Sequence, residues 1–293
     1  LRNPMLAWIA YATVALVWGS TYFAIAIGIE AFTPYGLMAW RFSAAAVLAL
    51  ILGRLQGEPL PTKRNLPHLA LVGAFLLAGA NSLVAVSETY LSSGVAAILS
   101  ALVPLGLALW GQERLSGRTW LGLMVGLLGV GVLTNPLRGA VDLRGVGILL
   151  LAVNLWAYGT IHGKRHVQGG GFMTNVGIEM LAAGALCHLI ALVTGGYTHG
   201  PLTTRAASAL AYLVVFGSVV GFTAYIYIAK VWSPAKMGTY AYLNPLVAVL
   251  LGGAFLHEPF NARMALGMLI VLAGVAVVQL RPAPKPEPLI EPA

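Results

Sequence analysis

Polar positions in this chain are sparse, and between them run apolar stretches of the length a bilayer demands. A hydrocarbon core of ~30 Å takes about 20 predominantly apolar residues in an α-helix. Such stretches fall at about 5–29, 34–53, 66–87, 93–110, 118–135, 145–164, 172–195, 206–229, 235–256 and 262–280. The longer breaks, near 54–65, 136–144 and 196–205, hold Pro, Gly and charged residues. The pattern predicts an all-α membrane protein with ten transmembrane helices. The first run is too long for the core of a signal peptide, and no small-residue cleavage site follows it, so it is expected to be a retained span. The Pro-rich tail, 281–293, is expected to be disordered, because Pro cannot extend a helix.

The pattern also runs twice. Trp18 in LVWG precedes Trp156 in VNLW by 138 positions, Pro104 in SALVPL precedes Pro245 in AYLNPL by 141, and Glu113 in GQERL precedes Glu258 in LHEPF by 145. The implied unit is five helices. An odd number of spans inserts the second copy upside down, which gives two inverted five-helix repeats over 1–138 and 139–280, with a binding site expected near the midplane between them. One mismatch stands out. Pro104 to Glu113 is 9 residues and Pro245 to Glu258 is 13, so the fourth span is about one helical turn shorter than its mate. A locally thinner bundle and missing residues are both open readings.

Composition narrows the class. Only 9% of residues are charged and 59% are hydrophobic, against about 25% charged in soluble domains. The net charge of +8 does not point to nucleic acid, since the basic residues are scattered through connections. Placing the N-terminus inside puts twelve of the 17 on the cytoplasmic side: Arg2, Arg54, Lys63, Arg64, Arg114, Arg118, Lys164, Arg165, Lys230, Lys236, Arg281 and Lys285. Arg138, Arg144, Arg205 and Arg263 fall outside, and Arg41 lies within a span. This bias predicts cytoplasmic N- and C-termini. Cys187 is the lone cysteine and lies in an apolar run, where a thiol is usually packing. There is no metal-ligand spacing, Walker loop or dinucleotide fingerprint, so no cofactor and no metal site is expected.

With these residues in view, the chain resembles the drug/metabolite transporter superfamily in its ten-span EamA-type branch. The resemblance rests on LVWGSTYFAI (16–25), WRF around Arg41, the small-residue run with Pro104, and QERLSGRTWLGLMVGLLGVGVL (112–133). In the second copy it rests on NLWAYGTI (154–161), Glu179, YLNPLVAVLLGGAFLHEP (242–259) and ALGMLIVLAGVAVV (265–278). It covers about 8 to 280. It implies secondary transport of small metabolites through a cavity between two bundles. Similar members of known structure export amino acids, aromatic ones included.

Several side chains are candidates for chemistry. Arg41 sits about seven residues into its span, and Glu179 holds the matching place 138 positions later. A charge there costs several kcal/mol unless paired or hydrated. They suit a gate, a proton site or a contact to a substrate carboxylate; the competing reading is a charge that snorkels to the interface. Asn154, Tyr158 and His162 recur every fourth residue and share one helix face with a polar character unusual for a span. That face either lines the cavity or supplies interhelical hydrogen bonds, worth about 0.6 kcal/mol each. An unperturbed His titrates near physiological pH. Trp18 and Trp156 are repeat mates, Tyr22 follows Trp18 by one turn, and Asn81, Ser100, Tyr225, Tyr240 and Asn244 interrupt otherwise apolar spans. Gly122, Gly126 and Gly129, like Gly217 and Gly221, form small-residue ridges that serve either a dimer face or close packing within a bundle.

The sequence therefore predicts a non-enzymatic exporter of small organic metabolites in the inner membrane. Amino acids, aromatic ones included, fit best, bound by Trp18, Tyr22, Asn81, Ser100, Asn154, Trp156, Tyr158, His162, Tyr225, Tyr240 and Asn244 and moved by alternating access. Arg41 and Glu179 are candidates for gating or coupling. The expected partners are a small-molecule substrate and the lipid bilayer, not nucleic acid, with a monomer favoured. A multidrug or nucleoside exporter, or an uncoupled facilitator of the same superfamily, is the alternative. A membrane enzyme is disfavoured, since only 9 acidic residues exist and few fall within spans.

Overall fold

The computed structural model describes residues 4–110, 117–134, 141–231 and 240–279, and its elements there are helices. They are α1 (Pro4–Gly28), α2 (Pro34–Leu55), α3 (Leu66–Ser87), α4 (Ser93–Ser100), α5 (Val103–Trp110), α6 (Gly117–Thr134), α7 (Leu143–His166), α8 (Phe172–Val193), α9 (204–231), α10 (Tyr240–Phe255) and α11 (Ala262–Gln279). Helices α1, α2, α3, α7, α8 and the part of α9 over Thr204–Tyr225 are long and apolar enough to cross a membrane; shorter apolar helices occupy the other predicted stretches. Glu113, Arg114, Lys236 and the tail from 281 lie outside the described residues. Large apolar side chains face outward along these helices, with Leu16 59%, Leu192 65% and Leu250 71% exposed. Such surface is expected against lipid, where a helix satisfies its own backbone and presents hydrocarbon outward.

Helix starts follow local chemistry. Thr33 caps α2, its Oγ1 accepting from Gly36 N at 3.0 Å, with Pro34 in the first turn where no N–H is needed. Ser92 caps α4 in the same way. Asp142 caps α7, and the hydrogen bonds donated by the Arg144 side chain hold its carboxyl below the usual carboxylate range. The acid of another loop caps α4 as well. His257 adopts a left-handed φ of 55°, and the next residue, Glu258, accepts from Ser93 N at 2.7 Å, Ser93 Oγ at 3.0 Å and Gly94 N at 3.1 Å. A carboxylate there meets both the unsatisfied N–H groups and the positive end of the helix dipole.

The packing is paired. α2 lies along α8, and α6 along α11; α1 is flanked by α9 and α10, and α7 by α3, α4 and α5. Glycines set the closest approaches. A Cβ on Gly129 would meet Val271 N at 2.6 Å, and one on Gly274 would meet Gly126 N at 2.6 Å. The ridge on α6 is therefore spent on α11. Gly217 and Gly221 likewise face Thr21, Arg41 and Trp18.

Two features depart from uniform spans. The stretch predicted as one helix over 93–110 breaks at residues 101–102. Pro104 has no N–H to offer the Ser100 carbonyl, so α4 ends and α5 begins. α3 and α9 are also widened into π-helix over Gly73–Asn81 and Leu213–Val220. In each a side chain bonds a carbonyl five residues back: Asn81 Nδ2 donates to Leu76 O and Ser218 Oγ to Leu213 O, both at 3.0 Å. Local π-helix of this kind recurs at functional sites.

Candidate functional site

Trp18 organises the interior. From α1 its ring stacks on Tyr225 at 5.1 Å and meets Tyr240, Phe222 and Trp156 edge-on at 5.3, 5.4 and 6.4 Å. Its Nε1 donates to Gly217 O at 3.3 Å, within the π-helical turn of α9. Four helices thus contribute rings to one aromatic box, which has the flat apolar walls and scattered polar tips of small-molecule sites.

Arg41 lies beside this box. It is 4% exposed. Its Nε donates to Ser218 Oγ at 3.2 Å, and a Cβ on Gly217 would lie 3.5 Å from its Nη2. Gly217 thus bears the Trp18 indole on its carbonyl and faces the guanidinium with its Cα. Among the described residues no carboxylate pairs with Arg41; the ion pairs there are Arg144–Asp142 and Arg205–Glu30. Glu179 is partly buried on α8 and forms no bridge to it. A buried guanidinium retains strong, directional capacity for an anionic oxygen.

The predicted site residues separate into groups. Trp18, Trp156, Tyr225 and Tyr240 come together. Asn244 donates its amide to the Ala15 and Tyr240 carbonyls at 3.2 Å each, in the orientation that satisfies both, and so braces α1 against α10. The Asn154–Tyr158–His162 stripe shares a face, but not with Trp156, which lies two residues from both Asn154 and Tyr158 and so points the other way. On that second face Trp110 Nε1 donates to Asn154 Oδ1 at 3.3 Å, while Asn154 Nδ2 is held by Leu150 O at 2.9 Å. Tyr158 packs between Phe75 and Trp110 at 4.9 and 5.2 Å. Asn81 is likewise engaged by its own helix. The single aromatic cavity drawn from the sequence is thus two ring clusters on opposite faces of α7. A groove of about 470 Å³ opens between α1, α9 and α10, lined by Phe23, Ala24, Ile27 and Leu251 with Ser20, Tyr212 and Arg205; none of the box rings lines it, and its α1 residues lie on the face of that helix opposite Trp18.

Two groups escaped the sequence reading. Glu88 follows α3 and is 8% exposed, and neither of its carboxylate oxygens has a hydrogen-bond partner. The Ser100 hydroxyl is also buried, and Tyr22 lies close to both. An acid one residue past a span reads as loop; only packing reveals its burial. The second group is histidine. His162 and His166 are one turn apart, a spacing visible in the sequence, and the fold adds His68 from α3. The expectation of no metal-ligand spacing overlooked that pair, because the third ring comes from 94 residues away.

Comparison with known proteins agrees with this architecture. The sequence profile of the EamA-like transporter family matches the chain twice, over residues 5–135 and 143–280. An uncharacterized inner membrane transporter of Escherichia coli K12, YedA, is 35% identical over 271 residues, covering 90% of this chain and 88% of that protein. A probable terminal-alkyne amino-acid exporter of Streptantibioticus cattleyicolor is 25% identical over 292 residues, covering 96% and 95%. A chain of known crystal structure superposes with a TM-score of 0.66 at 19% identity, over 94% of this chain and 96% of that one, a likeness of fold.

Proposed function

This chain belongs to the EamA-like transporter family, and from that premise we propose that it exports amino acids, aromatic ones included, across the inner membrane by alternating access. The observation that carries this reading is the buried Arg41 guanidinium, free of any carboxylate among the described residues, beside the Trp18 box. A cation for the carboxylate and an aromatic wall for the side chain are the two halves of an amino-acid site. The name of the Streptantibioticus relative is consistent with it. No covalent step is needed, and no cofactor enters.

The proposed mechanism uses two inverted five-helix repeats, monomeric, with both termini in the cytoplasm. Two observations support the repeat: the family profile matches twice, and helix contacts exchange between halves. α1 with α9 and α10 mirrors α7 with α3, α4 and α5, while α2–α8 and α6–α11 pair mates with each other. Motion of the bundle of α1, α9 and α10 against that of α7, α3, α4 and α5, about the Trp18–Trp156 contact, would expose the site to either side.

A multidrug exporter is the second reading. The apolar groove of about 470 Å³ between α1, α9 and α10 favours it, since it is separate from the Trp18 box and would admit a larger apolar solute than a small amino acid. The deciding experiment is uptake into proteoliposomes, with and without a proton gradient, of labelled amino acids, nucleosides and cationic dyes. Competition by aromatic amino acids supports the proposal; competition by dyes alone transfers the assignment to the second reading. Reporter fusions after residue 60 and at the C-terminus should read cytoplasmic.

A further inference from the structure

The transport reading leaves one cluster unused. His162 and His166 lie one turn apart at the end of α7 and meet His68 from the first turn of α3. One ligating atom from each ring lies within 4.8 Å of the others. His68 Nδ1 and His162 Nε2 are 3.2 Å apart. Two nitrogens bound tetrahedrally at ~2.0–2.1 Å to one zinc ion stand about 3.3 Å apart, so this pair already has the spacing of two ligands, and only the exposed ring of His166 must swing inward. His166 Nδ1 lies 3.1 Å from the His162 carbonyl oxygen. Donating there, it fixes the tautomer with a free lone pair on Nε2, the support that a carbonyl gives a metal-bound imidazole. The rings also stack closely, His162 on His166 at 4.4 Å and His68 on His166 at 5.0 Å. A metal binds imidazole in its neutral form.

The surroundings select the kind of ion. The adjoining sequence is basic, with Lys63, Arg64, Lys164 and Arg165. The nearby loop acid Glu58 is committed to the start of α8, accepting from Thr174 N at 3.0 Å. Mg²⁺ and Ca²⁺ require oxygen ligands, which this cluster lacks. Zn²⁺, Ni²⁺, Co²⁺ and Cu²⁺ are divalent ions that take imidazole nitrogen.

We propose that His68, His162 and His166 form a binding site for a divalent transition-metal ion of the zinc class. His162 and His166 chelate from one helix face, as histidines four apart do, and His68 adds the third ligand, with water as the fourth. The ion ties α3, within the first segment matched by the family, to α7, within the second. Exposed His166 gives it a way in. A metal there cross-links two helices that already pack together, α3 and α7, and so stiffens the bundle they share with α4 and α5.

The test uses purified full-length protein in detergent, freed of any affinity tag, with Co²⁺ alone as the probe. Four-coordinate Co²⁺ absorbs strongly in the visible, whereas hydrated Co²⁺ is nearly colourless. The expected result is one equivalent of strongly absorbing Co²⁺, displaced by Zn²⁺, with binding weakened roughly tenfold or more in His166→Ala and in His68→Ala. His166 is exposed at a helix end, so its variant reports on binding in a folded protein, as gel filtration will verify. A spectrum of hydrated Co²⁺ only, or strong bands that persist in either variant, overturns the site. The probe is the metal alone, so failure here leaves the substrate assignment untouched, and failure of that assignment leaves the metal site standing.

Discussion

The indole rings of Trp18 and Trp156 meet edge to face, 6.4 Å between centroids and 79° between planes. They occupy matching places in the two segments that the family profile matches, and their contact is where α1 and α7 come together at the aromatic box. Trp156 makes this contact from the rim, whereas Trp18 touches four rings. Trp156→Ala should therefore leave a folded protein. It should weaken apparent affinity for an aromatic solute several-fold, from about 0.5–1.5 kcal/mol of lost ring contact. Alanine, too short to reach the ring, should lose less. Uptake competition in proteoliposomes measures both, and equal losses would assign Trp156 to packing.

Arg41 donates through Nε to Ser218 and keeps its other nitrogens toward Gly217 and Met38. Lys has one compact ammonium and cannot serve both directions. Arg41→Lys should elute as a single folded species and yet lose most uptake of carboxylate-bearing solutes, while uptake of an amino-acid amide is spared. Wild-type uptake by Arg41→Lys would mean that the charge only anchors the helix.

Glu88 is a buried acid whose oxygens accept nothing. Burial disfavours its charged form and, with Glu258 nearby, pushes the carboxyl well above the usual carboxylate range, so at neutral pH folding must neutralise an acid that the unfolded chain holds charged. Glu88→Gln should melt a few degrees higher than the parent in detergent at neutral pH, about 2–4 °C per kcal/mol for a chain of this order. A lower melting temperature would reveal a partner that the carboxylate finds in solution.

Glu258 bridges the far end of α10 to the start of α4 by three hydrogen bonds. Glu258→Ala should cost about 1–2 kcal/mol, the range of a lost helix cap. Glu258→Gln should recover part of it, since a neutral carbonyl still accepts but no longer answers the dipole. Thermal melts of the two variants side by side test the order; equal melting would remove the cap from the stability of α4.

Hydropathy alone determined the helical class and the approximate place of each apolar helix, because a bilayer forces every backbone group into local hydrogen bonds and so writes span length directly into the sequence. The duplicated landmarks Trp18 and Trp156, and the membrane placement of Arg41, were legible for the same reason: a rare residue in an apolar run announces itself. Partners were not legible. Tyr158 and Trp156 look equivalent along the chain, yet the helix turns them to opposite faces. Glu88 reads as loop, but packing buries it. His166 reads as an exposed helix end until α3 brings His68 beside it. The π-helical turns at Asn81 and Ser218 likewise depend on side chains reaching five residues back against neighbouring helices. Periodicity fixes which residues share a face of one helix. Which face meets which neighbour is decided by close approach at glycines such as Gly129 and Gly217, and by fit across helices far apart in the chain.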